Sequence, residues 1–119
     1  MRFQDLLAYN KSFELAMEIY SISIRFPSEE KYSLTDQIRR SSRSVSANIA
    51  EATRKRRYEK HFISKLTDSD AENAETQVWL EYANACKYMD SIDFEIRSAK
   101  SLEVGKLLNY MMNNLDKFL

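Results

Sequence analysis

The sequence predicts an all-α protein, an antiparallel up-down-up-down four-helix bundle formed by a single domain over residues 1–119. Three observations carry that prediction. One glycine (Gly105) and one proline (Pro27) leave almost none of the turn chemistry that hairpins, dinucleotide folds or phosphate-cradling loops require. Apolar residues recur at spacings of three and four through four successive segments. Charged residues make up 30% of the chain, the mixture expected of amphipathic helices with solvated outer faces, and the length suits one core.

In the first segment Leu6, Tyr9, Phe13, Ala16, Tyr20 and Ser23 make one stripe, widened by Leu15, Ile19, Ile22 and Phe26. Pro27 stops it, because proline drives the preceding residue out of helical geometry, and Ser28 to Lys31 read as a solvated link. Helix two is expected to start at Ser33, whose hydroxyl caps free amides while Asp36 supplies the acidic half of a capping box. Its core stripe is Leu34, Ile38, Ser41, Val45, Asn48 and Ala52, and its many small residues permit close helix packing. An amide on that stripe, Asn48, must find partners across the bundle or across a subunit boundary, since stranding it costs about 1–3 kcal/mol.

The break after helix two is marked by charge alone, Thr53 to Arg57. Helix three is then expected from about Tyr58 to Tyr88, with Phe62, Leu66, Ser69, Asn73, Gln77 and Leu80 in register and Trp79 beside them. Asp90 and Ser91 offer a cap to helix four, which carries Ile92, Ile96, Ala99, Leu102, Leu107, Leu108, Met111, Met112, Leu115 and Phe118.

Catalytic and metal chemistry lack their ingredients. Di-metal bundle centres need a Glu-x-x-His pair on two helices, and His61 is the only histidine. With no second imidazole there is neither a transition-metal set nor a base for a serine nucleophile. Pairs such as Asp68 with Glu72, or Glu72 with Glu75, share a helix face and read as solvated charge. Cys86, partnerless and in an apolar helical context, is expected to be a buried structural thiol in a reducing compartment. No catalytic residue, metal or cofactor is expected. The start has no signal-peptide core, and no stretch approaches the about 18 apolar residues that span a bilayer, so a cytoplasmic protein without membrane contact is expected.

The zero net charge conceals a segregation. Between Arg39 and His61 eight cations (Arg39, Arg40, Arg43, Arg54, Lys55, Arg56, Arg57 and Lys60) face two anions, Glu51 and Glu59. Between Leu66 and Glu95 eight carboxylates face Lys87 alone. Arg39, Arg43 and Arg54 share a stripe of helix two, so these cations are expected to form one continuous band. Three readings fit such a band: a phosphate-binding surface for RNA or DNA, salt-sensitive and with little sequence preference; a self-association surface meeting the acidic helix three of another subunit; or a solvated face. Only Tyr58 and Phe62 interleave it, so base stacking is not indicated.

Phe26-Pro27-Ser28-Glu29-Glu30-Lys31-Tyr32-Ser33-Leu34-Thr35-Asp36-Gln37-Ile38-Arg39-Arg40, followed by Ser44-Val45-Ser46-Ala47-Asn48-Ile49-Ala50-Glu51, is similar to the signature of a bacterial family of four-helix-bundle proteins. These are encoded in intervening sequences of 23S ribosomal RNA genes, and the accessory variability protein of diversity-generating retroelements is related to them. The resemblance extends over Tyr9 and Leu15 to Tyr20 in helix one, Glu72 to Leu80 in helix three and Glu103 to Met112 in helix four. Departures are Ser33 and Ala52, where glycine is usual, Ser41 and Ser42 for alanines, and Tyr9 for a tryptophan. The resemblance implies a homopentameric ring and a role in binding nucleic acid, and brings no established enzymatic activity. Carried onto this chain, the motif's polar residues are Gln37, Arg39, Arg40, Asn48 and Glu51, which read either as ligand contacts or as a structural network between helices or subunits. A protein partner, with the bundle as adaptor, is the remaining expectation.

Overall fold

The computed structural model describes residues 1–119. Four helices, α1 (Leu7–Ser23), α2 (Leu34–Arg54), α3 (Glu59–Ala85) and α4 (Ser91–Asn113), form an elongated bundle of 44 × 25 × 19 Å with no strand. Short 3-10 turns at Phe3–Asp5, Ser28–Glu30 and Leu115–Lys117 precede α1, link α1 to α2 and follow α4. Chain neighbours pack side by side and α4 closes against α1, so α1 and α3 face each other across one diagonal and α2 and α4 across the other.

The core is divided. One cluster gathers Leu6, Ala8, Val45, Ile49, Ala52, Phe62, Leu66, Val104, Leu108 and Met111. A second, toward the other end, gathers Leu15, Ile19, Phe26, Leu34, Ile38, Leu80, Ala83 and Met89. Between them runs a buried belt of short polar side chains. Ser41 and Thr76 share a hydrogen bond of 2.9 Å, and the Ser69 hydroxyl donates to the Val45 carbonyl at 2.8 Å. Asn73 Nδ2 donates to the Ser101 carbonyl at 2.9 Å, the Ser101 hydroxyl donates back to Asn73 Oδ1 at 2.9 Å, and Gln77 Nε2 donates to that hydroxyl at 3.0 Å. Each of these belt side chains thus has a partner, which avoids the desolvation penalty of stranding it, and the hydroxyls are short enough to let helices approach.

The helix ends differ from expectation in three places. Ser33 does not cap α2: its hydroxyl donates to Glu30 Oε1 at 2.5 Å, and that oxygen accepts the Leu34 amide at 3.3 Å, so Glu30 serves as the acceptor and Asp36 closes no capping box. At the far end α3 stops at Ala85, three residues short of Tyr88. Lys87 takes φ 61°, the Lys87 amide donates to the Asn84 carbonyl and the Tyr88 amide to the Ala83 carbonyl, a Schellman arrangement with lysine where glycine is usual. Because the helix ends there, Cys86 is exposed and not a buried thiol. Asp90 behaves as expected, its carboxylate accepting the Asp93 amide at 2.7 Å at the start of α4.

Several core assignments also shift. On α1 the buried face is Ala8, Ser12, Leu15, Ala16, Ile19 and Ser23, while Phe13 and Tyr20 are exposed. On α2, Ile49 takes the buried place and Asn48 is half-buried, its amide donating only to the Ser44 carbonyl one turn back at 2.9 Å. On α4, Ser101, Val104, Leu108 and Met111 face inward, whereas Ile92, Ile96, Ala99 and Leu102 are exposed.

Candidate nucleic-acid interface

The eight cations of the expected band do not form one surface. Arg40 is taken up inside its own subunit. Its Nη2 lies 2.7 Å from Glu75 Oε1, its Nη1 lies 3.4 Å from Glu72 Oε2, and its Nε donates to Gln37 Oε1 at 3.3 Å. Glu72 and Glu75 are therefore the α3 half of an ion-pair network and not free solvated charge. Burial pushes the Glu75 carboxyl up, but the Arg40 hydrogen bond and charge, helped by the Trp79 N–H at 3.3 Å, hold it below its ordinary value. Glu51 is likewise spent on Lys65 at 2.6 Å, whose hydrogen bond and charge lower the carboxyl. Of the motif's structural candidates, Glu51 joins α2 to α3 through Lys65, whereas the contacts of Gln37 and Asn48 stay within α2, with Arg40 and Ser44.

Arg39 and Arg43 meet no carboxylate. Arg39 Nε donates to the Ser23 hydroxyl at 2.7 Å, and its guanidinium carbon lies 4.7 Å from the Tyr20 ring centroid; that of Arg43 lies 5.8 Å from the same ring. The side chain that sequence reading assigned to the α1 core is instead a platform for two guanidinium groups. These arginines, with Lys31, line an open hollow of about 610 Å³ along α2.

A separate group sits at the α2–α3 end. Arg54, Lys55, Arg57 and Lys60 are exposed and take part in no ion pair. Arg56 is anchored by donating to the Met1 carbonyl at 3.0 Å, which folds the amino-terminal segment against the basic turn. Arg2 thereby joins the group: Met1, Arg2, Thr53, Arg54, Arg56 and Arg57 line a cavity of about 410 Å³. Arg2 also pairs with Asp5 at 3.2 Å, leaving part of its charge compensated. All of α1 and most of α2 lie between Arg2 and the turn in sequence, so only the fold reveals that it belongs there. His61 is exposed beside Tyr58, the rings 5.5 Å apart.

No group of three or more His, Cys, Asp or Glu side chains converges on a point that would hold a metal ion, and no helix is long and apolar enough to cross a membrane. The geometry offers spaced positive charge along a turn, an arrangement suited to phosphates.

Comparison with known proteins agrees with this architecture. No curated protein matches the sequence. A solved structure described as a protein of unknown function from the S23 ribosomal protein family, from Bacteroides thetaiotaomicron VPI-5482, is 29% identical, with a TM-score of 0.81 over 95% of this chain and 99% of that one. The family described as 23S rRNA-intervening sequence protein matches residues 4–110. With nine-tenths of its length so matched, four helices in the expected order and the FP…RR…NIAE residues in place, the chain belongs to the 23S rRNA-intervening sequence protein family.

Proposed function

We propose that the protein is a non-enzymatic, ring-forming bundle that binds nucleic acid through phosphate contacts at the α2–α3 end, by Arg54, Lys55, Arg56, Arg57 and Lys60 with Arg2 beside them. The observation that carries this reading is that five cations of the turn form no ion pair, while Glu51 at the end of α2 is engaged by Lys65. Uncompensated surface cations neutralise phosphates and release counterions, which gives affinity without sequence readout. A homopentameric ring, as the resemblance implies, presents five such turns and raises avidity without any new contact.

The test is a filter-binding titration with structured RNA and duplex DNA at rising salt. Five phosphate contacts predict a slope of log K against log salt of about −4.5, which is a loss of roughly 500-fold between 50 and 200 mM. Neutralising Arg54, Lys55 and Arg57 together to Gln shortens that slope by about 2.7 on duplex, whereas Arg40→Gln leaves it unchanged because Arg40 is already paired. Binding that is absent or indifferent to salt refutes the reading.

A second reading, a protein–protein adaptor without nucleic-acid contact, draws on a different surface. Tyr32, 86% exposed, stands with Trp79 and Tyr82 around an amphipathic hollow of about 460 Å³ at the opposite end of α2. One stoichiometric protein recovered from nuclease-treated lysate, and lost on Tyr32→Ala, favours the adaptor.

A further inference from the structure

We infer that the outer face of α2 carries a second site, separate from the α2–α3 turn and built for unpaired nucleotides, with phosphate on Arg39 and Arg43 and base on Tyr32. The inference rests on the nucleic-acid reading above and names the form of strand that is taken. Two hollows meet at Tyr32. One, of about 610 Å³, runs along α2 past Arg39 and Arg43. The other, of about 460 Å³, is walled by Trp79 and Tyr82 of α3. Tyr32 lines both and is 86% exposed, so a cationic half and an aromatic half share one ring.

The cationic half is prepared for an anion. Arg39 spends its Nε on the Ser23 hydroxyl and rests on the Tyr20 ring, which fixes the guanidinium and leaves its terminal amino groups free. Arg43 shares that ring and meets no carboxylate. Tyr20 backs the two arginines and does not itself line the hollow. Gathering two guanidinium groups over one ring sets like charges side by side, a cost that a phosphate bridging their forks removes. Asp36 is the one carboxylate on the wall of this hollow, and Lys31 offsets it.

The aromatic half supplies what phosphate contacts lack. The rings of Trp79 and Tyr82 lie 5.9 Å apart, tilted by 36°, and the Trp79 N–H donates to Glu75, which holds the indole in place. Such π faces stack with any base, so they add affinity without sequence preference. A duplex hides its base faces and gains nothing here, whereas an unpaired stretch offers base and phosphate together. An apolar peptide in the aromatic hollow leaves the neighbouring arginines unanswered. Tyr32, Trp79 and Tyr82 all lie outside the basic stretch from Arg39 to His61, so only the fold brings stacking surface beside it.

The experiment measures binding of the full chain, by fluorescence anisotropy, to three RNAs: a blunt hairpin, the same hairpin with a single-stranded adenosine tail, and the hairpin with an abasic tail of equal phosphate count. The adenosine tail is expected to tighten binding about tenfold over the blunt hairpin, and the abasic tail to lose most of that gain. Tyr32→Ala, at an exposed position, removes the gain and Tyr32→Trp restores it, while both keep the wild-type salt slope on the blunt hairpin. Arg43→Gln shortens the slope by about 0.7 on the tailed RNA alone. Neutralising Arg54, Lys55 and Arg57 to Gln does the reverse, weakening all three RNAs alike and keeping the gain from the tail. Adenosine monophosphate is expected to displace the tail at concentrations where inorganic phosphate does not; if it binds as tightly as the tailed RNA, the site belongs to free nucleotides and the strand is overturned. Salt-sensitive binding of all three RNAs with equal affinity overturns this inference and leaves the turn reading standing. Binding of the adenosine-tailed RNA alone supports it and overturns the turn reading, and no binding to any RNA overturns both. A Tyr32→Ala variant that holds the tail as the wild type does overturns the inference and leaves the hollow to a protein partner.

Discussion

The buried polar belt offers the sharpest test of how the four helices are held in register. Asn73 and Ser101 are 2% and 0% exposed, and two hydrogen bonds of 2.9 Å join them across the α3–α4 seam. Asn73→Ala removes both bonds, each about 0.5–1.5 kcal/mol, and leaves a void the size of an amide, for a total of about 2–3 kcal/mol. Ser101→Ala keeps the bond from Asn73 Nδ2 to the backbone but strands Asn73 Oδ1 in the core and removes the acceptor of Gln77, for about 2 kcal/mol. In the double variant the stranded oxygen is gone, so the loss is about 3 kcal/mol and the coupling energy about 1–2 kcal/mol. The assay is urea unfolding followed by circular dichroism at one fixed protein concentration, which keeps the comparison independent of oligomeric state. Thr67→Ala, on the exposed side of α3, serves as the control and is expected to stay within about 0.5 kcal/mol of wild type. Single losses below about 0.5 kcal/mol, or singles that simply add, refute the claim that this pair sets the register.

Three further outcomes follow from the ends and the ion pairs. Arg40→Met is expected to cost about 0.5–1 kcal/mol at pH 7, modest because Arg40 is 45% exposed. Glu75 is held below its ordinary 4.5, so the stability it contributes is full above that value and is lost as pH falls through the lowered one; wild-type and variant urea midpoints therefore converge in acid. Tyr88 donates to Glu30 Oε2 at 2.9 Å, and chiefly through that bond its hydroxyl is pushed up to about 12. A raised acid contributes stability below its unfolded value of 10.0 and loses it as pH rises through about 12, so Tyr88→Phe is expected to flatten alkaline unfolding over that window in a pH titration of ellipticity. Lys87→Gly relieves a left-handed backbone at the end of α3 but loosens the unfolded chain, for a net gain of about 0.5–1 kcal/mol and a higher thermal midpoint.

The fold class was legible because periodicity, the near absence of glycine and proline, and the stop at Pro27 all point one way. Helix ends were less so. Ser33 carries the right side chain for a cap, but its hydroxyl is drawn to Glu30, which itself accepts the first amide of the helix, and nothing local in the sequence ranks the two acceptors. At Lys87 the left-handed residue is not glycine, so the signal that normally closes a helix is missing and α3 reads three residues too long. On α2 Leu34, Ile38, Ser41, Val45 and Ala52 are buried as expected and only Asn48 gives its place to Ile49, because alternation of small polar and small apolar residues leaves the edge of the stripe weakly marked. At the candidate interface the type of residue was legible and its partner was not: Arg40 and Arg54 are both arginines of α2, yet α3 brings carboxylates only to the first.

The two flanks of α1 are the physical support for the ring proposed above. On the flank toward α4, Lys11 pairs with Glu103, Glu14 and Glu18 with Lys100, and Glu18 with Arg97, so ion pairs line the edge of a seam whose interior Ala8, Val104, Leu108 and Met111 fill. On the flank toward α2, Phe13, Met17 and Tyr20 stand in the open. A protein selected to function as a free monomer has every physical reason to face charge, and not such a row, to water. An exposed apolar row invites association, so it costs a free monomer. It ceases to be costly once a second copy covers the row.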